Sequence, residues 1–162
     1  MVRIIIILLL VALQAAFGAP EYLLGTEHYW LRALSYSFFH ANWWHLAVNC
    51  IAIWSIFVPS RKWITLLLLA FVIAVLVYPL SFRPVIGFSN VLYAVIGLRT
   101  PSLKSRWWKQ PPVILFLAIT VALVFVPQFS ATTHIAAFLL GVLFASVCRH
   151  SKDLFNDFRR YL

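Results

Sequence analysis

Acidic side chains are scarce. The 162 residues hold four, Glu21, Glu27, Asp153 and Asp157, against thirteen Lys and Arg. None of the four falls in an apolar run, so the intramembrane carboxylates that a proton-coupled transporter uses as a relay are missing. The same shortage argues against a catalytic zinc. His40 and His45 are five apart, off the spacing that stacks two ligands on one helix face, and no carboxylate stands in a run to complete the set. Metal ligation remains the rival reading of the histidines. Cysteine is limited to Cys50 and Cys148, which fall in different runs near opposite membrane faces, too far apart for a disulfide; both read as small buried hydrophobes. Internal repeats and low-complexity stretches are absent, and one domain over 1–162 is the simplest organisation.

What is present in excess is apolar: 64% of residues are hydrophobic and 10% charged, more than a soluble domain of this length can hide. The apolar runs are six, at about 4–18, 43–58, 63–80, 89–98, 112–126 and 132–148. This predicts an all-α membrane protein of six transmembrane helices, in contact with the lipid bilayer. With the N-terminus in the cytoplasm, all of the thirteen Lys and Arg except Arg32 and Arg83 fall on the cytoplasmic side. The net charge of +9 is therefore topology rather than a nucleic-acid face, and no nucleic-acid partner is expected. Arg3 to Ala19 also reads as a cleavable signal peptide, the alternative to a retained first span.

The first outer segment, about 19–40, is rich in aromatics that suit the headgroup region, and Trp43 and Trp44 mark the outer interface of the second run. Pro59 to Lys62 reads as a tight cytoplasmic turn, Trp107 and Trp108 as inner-interface residues, and the tail at about 150–162 as a short interfacial helix. Arg83, Pro84 and Gly87 signal extended chain before Ser89. From Ser89 to Leu98 is about 15 Å of helix, half a hydrocarbon core. The fourth helix therefore starts in mid-membrane at a serine, where irregular backbone is tolerated only if protein buries it or it lines a wet cavity.

Polar groups in the runs converge on chemistry. His45 and Asn49 share a helix face at i, i+4; Ser89, Tyr93 and Gly97 form one face of the fourth run, and His134, Ala137 and Gly141 one face of the sixth. Small residues let helices approach closely, which would carry His134 toward Ser89. Taken singly each has a packing explanation, since an isolated intramembrane serine commonly bonds its own backbone. Together they meet the needs of acyl transfer: a hydroxyl nucleophile, an imidazole base, and oxyanion donors including the backbone N–H groups of a helix start.

Phe39-His40 with His45 and Asn49, Gly87-Phe88-Ser89 with Tyr93, and His134 with Ala137 and Gly141 resemble three separated motifs of the rhomboid family of intramembrane serine proteases, in its small bacterial-type six-span form. The resemblance implies Ser89 as nucleophile and His134 as general base, a dyad without aspartate. It implies His45, Asn49 and the Ser89 N–H as the oxyanion hole. Supporting roles go to Tyr93 against the His134 ring, Gly87 in the turn, His40 as a structural hydrogen-bonding residue, and Ala137 with Gly141 in helix packing. No cofactor and no metal follow from it. Single-pass membrane proteins would be the substrates, cut in or beside a transmembrane helix. The location implied is a bacterial inner membrane, with both termini cytoplasmic and the active site opening outward. Departures from the pattern are Asn90 in place of a second glycine, Ala137 in place of the first glycine of the pair, a short first outer segment, and Trp30-Leu31-Arg32 with one residue inserted between Trp and Arg. Asn90 and the short outer segment motivate the alternative of an inactive rhomboid-like protein that binds transmembrane clients.

Overall fold

Long apolar runs become helices because a helix satisfies every backbone N–H and C=O within its own segment, a requirement in lipid. The computed structural model describes residues 2–19, 29–56, 63–81, 85–100, 109, 111–123 and 130–150, and seven α-helices with no strand lie among them. These are α1 (Val2–Phe17), α2 (Tyr29–Ser35), α3 (Trp43–Ile56), α4 (Trp63–Val77), α5 (Ser89–Arg99), α6 (Pro111–Leu123) and α7 (Ala131–His150), with 3₁₀ turns at Tyr36–Phe38 and Tyr78–Leu80. Six of them coincide with the six apolar runs to within a turn. The seventh, α2, lies in the outer segment that aromatic composition marked only as interfacial. Trp63–Leu80 and Ala131–Cys148 are long and apolar enough to cross a membrane, whereas Val2–Phe17 and Trp43–Ile56 are shorter apolar helices. Residues 20–28 of the outer segment, the turn at Pro59 to Lys62, Arg83 with Pro84, the Trp107-Trp108 pair and the tail from residue 151 lie outside the described residues.

The helix that follows the polar turn is the centre of the molecule. Every residue of α5 from Ser89 to Leu98 is buried, enclosed by α3, α4 and α7. Its tightest neighbour is α7. A Cβ on Gly97 would fall onto the Phe138 carbonyl oxygen, and one on Gly141 would stand 2.6 Å from the Ala94 carbonyl oxygen. Neither position accepts a side chain unless the helices part. At the far end of α5, Arg99 donates from Nη1 to the Ile56 carbonyl at 3.0 Å, tying the helix to the end of α3.

Large apolar side chains point outward. Leu68, Val72 and Leu76 on α4 and Ile135, Leu139 and Leu143 on α7 are exposed at four-residue spacing, while Ala70, Ala74, Ala137 and Ala145 are buried. This reverses the pattern of a soluble bundle. In hydrocarbon the exposed leucines cost nothing, and small residues at the contacts let helices gain close packing and hydrogen bonds.

Candidate active site

The turn that delivers Ser89 depends on one glycine. Gly87 has φ +120°, a conformation other L-residues rarely adopt, and a Cβ there would stand 2.7 Å from Nε2 of His45. Its N–H donates to the Tyr36 carbonyl at 2.9 Å, and the next N–H, of Phe88, donates to Nε2 of His40 at 3.4 Å. Val85 and Phe88 are buried, so the chain runs inward before the helix begins. Phe88 caps α5, its carbonyl accepting from the Leu92 N–H at 3.2 Å. Ser89 is thus the first helical residue, where the helix itself offers its N–H no partner.

His134 meets it from α7. Nε2 of His134 lies 2.7 Å from Oγ of Ser89, with His134 4% and Ser89 8% exposed. Nδ1 of the same ring is 2.6 Å from the Ser130 carbonyl oxygen. A carbonyl can only accept, so the proton sits on Nδ1 and the Nε2 lone pair faces the serine hydroxyl. Tyr93, one turn along α5 from Ser89, packs edge to face on the imidazole, with ring centroids 4.9 Å apart and planes at 84°. The ring is therefore held by a carbonyl at one nitrogen and an aromatic against one side. The packing behind this meeting is the α5–α7 contact, where Ala137 is fully buried and Gly141 sits against α5.

The α3 side brings His40, His45 and Asn49. Asn42 caps that helix, its Oδ1 accepting from the His45 N–H at 2.9 Å, a side-chain cap the sequence reading did not identify. Asn49 donates from Nδ2 to the His45 carbonyl at 2.9 Å, which uses one of its two amide hydrogens and leaves a second. Its Oδ1 is buried without a partner among the described residues. His40 and His45, which sequence spacing kept off a common helix face, nevertheless meet edge to face at 5.2 Å. The reason is that Phe39 is extended, at φ −109° and ψ 157°, so His40 enters from outside the helix. Among the described residues no three His, Cys, Asp or Glu side chains gather as a metal site.

Two departures from the expected motifs acquire a structural account. Asn90 is fully buried, and its Nδ2 donates to the Tyr36 hydroxyl at 3.0 Å. Its side chain turns into the protein instead of standing at an opening. Ala137 leaves the helix approach close, because Gly97 and Gly141 themselves form the contact.

With helices only among the described residues, lipid-type packing and a buried serine and histidine paired at one helix start, the molecule has the form of an integral membrane protein built around a polar site. Residues 27–151 match the rhomboid domain, and the chain belongs to the rhomboid family, most of whose members are intramembrane serine proteases. The match begins just before α2 and leaves α1 outside it. No curated protein matches the chain.

Proposed function

We propose that this protein is an intramembrane serine endopeptidase that cuts transmembrane or juxtamembrane segments of other membrane proteins with a Ser89–His134 dyad. The observation that carries the reading is the 2.7 Å approach of Ser89 Oγ to the lone-pair nitrogen of His134, at a helix start surrounded by protein.

The reaction follows from that pairing. Ser89 Oγ attacks the scissile carbonyl carbon as its proton passes to Nε2 of His134, and the imidazolium formed is held by the Ser130 carbonyl in place of a carboxylate. Charge developing on the carbonyl oxygen is met by the Ser89 N–H, the second amide hydrogen of Asn49 and the His45 ring, helped by the positive end of α5. His134 then gives its proton to the leaving amine as the C–N bond breaks. Water, deprotonated by the same imidazole, hydrolyses the acyl ester and restores Ser89.

In this reading the chain is one domain with six spans, α2 lies at the outer interface, and α5 begins in mid-membrane. Both termini are cytoplasmic and the site opens to the outer side of a bacterial plasma membrane, as the Lys and Arg distribution argues. Detergent-solubilised wild type should take up a fluorophosphonate probe and cleave transmembrane peptides, and Ser89→Ala and His134→Ala should do neither. Absence of both activities in the wild type replaces the protease with a client-binding rhomboid.

A further inference from the structure

A single residue outside the dyad holds the chain on both sides of Ser89. The Tyr36 carbonyl accepts the Gly87 N–H at 2.9 Å, two residues before the serine, and the Tyr36 hydroxyl accepts Nδ2 of Asn90 at 3.0 Å, one residue after it. The hydroxyl passes its own proton onward to the Ala74 carbonyl of α4 at 2.9 Å. Tyr36 and Asn90 are both fully buried, and the Tyr36 ring rests on Tyr78 with centroids 5.0 Å apart. Burial pushes the Tyr36 phenol up to about 12, so it keeps the proton this chain of bonds needs.

We infer that Tyr36 and Asn90 are positioning residues that fix the Ser89 hydroxyl against His134. The inference rests on the protease reading. Glycine at position 90 would leave the residue after the serine tied only by its helix; asparagine adds a side-chain tie across 54 residues of sequence to a segment that also sets the preceding turn. The helix start therefore has its translation fixed at Gly87 and its rotation about the helix axis fixed at Asn90. Rotation matters because it swings Oγ through an arc, and a reacting atom out of place by about 1 Å can cost 10²-fold in rate.

The test uses the full chain in detergent. Fluorophosphonate labelling of Ser89 is measured over a range of probe concentrations, to separate the maximal rate of inactivation from the probe's half-saturating concentration. The variants are Asn90→Ala, Asn90→Gly, Tyr36→Phe and the pair Tyr36→Phe with Asn90→Ala. Tyr36→Phe keeps the ring and the carbonyl bond to Gly87, so it carries the test if the Asn90 variants do not fold. The expected result is a fall in the maximal rate of about tenfold in each single variant, with half-saturation unchanged and the pair no slower than the worse single. A residue with only a structural role would change Tm and the fraction labelled but leave the rate of the folded fraction alone. Wild-type rates in the variants, or additive losses in the pair, overturn the proposal alone. A wild type that takes no label overturns the protease reading and this inference with it.

Discussion

The Ser130 carbonyl oxygen stands 2.6 Å from Nδ1 of His134, at the head of the helix that carries the histidine. This contact decides which ring nitrogen is basic, and it does so with a backbone group that no pH change ionises. Activity should therefore rise with pH as the His134 imidazole loses its second proton, and then remain level. Rates of probe labelling measured across the pH range check this, and an alkaline or acid limb that disappears on mutating one of the four carboxylates contradicts it.

Gly87→Ala should remove activity by about 10²-fold or more, since it combines a disfavoured φ with a clash against His45. The pair Gly87→Ala with His45→Ala removes the clash but leaves the backbone strain, so its labelling should fall well below that of His45→Ala alone.

Replacing Gly141 with Val, or Gly97 with Leu, should lower Tm and activity together. Overpacking of this kind typically costs about 1–3 kcal/mol, and here the only relief is to part α5 from α7, which also parts Ser89 from His134. Retained turnover with a lowered Tm would show that the dyad survives separation of the helices.

Asn49→Ala and His45→Ala should each lower kcat with Tm unchanged, while Ser89 remains open to the probe. Loss of one oxyanion donor in a soluble enzyme costs about 10²–10³-fold, and in the proposed mechanism three donors share the charge, so each loss here should be smaller. The double variant should be slower than either. A parallel fall in Tm would instead assign Asn49 to holding α3 through its bond to the His45 carbonyl.

Much of the fold was legible because lipid imposes simple rules on sequence. Apolar runs set the helices, and the small residues at Gly97 and Gly141 marked the faces that bring Ser89 and His134 together. The rest depended on bonds that leave no periodic trace. The Asn90–Tyr36 bond joins groups 54 residues apart, while the Asn42 cap and the Ser130 carbonyl at His134 are local bonds at helix starts, which hydrophobic periodicity does not register. The meeting of His40 with His45 escaped for a related reason: helix spacing ceases to apply once Phe39 is extended. Asn90 was visible as an unusual residue but its direction was not, because an asparagine at a helix start can face either solvent or core.

The complete enclosure of α5 bears on the order in which the molecule is made. A ten-residue apolar stretch headed by serine and asparagine has little reason of its own to enter lipid, and one of its walls, α7, is synthesised after it. Until α7 arrives, the head of α5 has no histidine and its glycine face has no neighbour. In the protease reading, a product cut short before residue 131 therefore keeps the serine but lacks its base, and should be inactive.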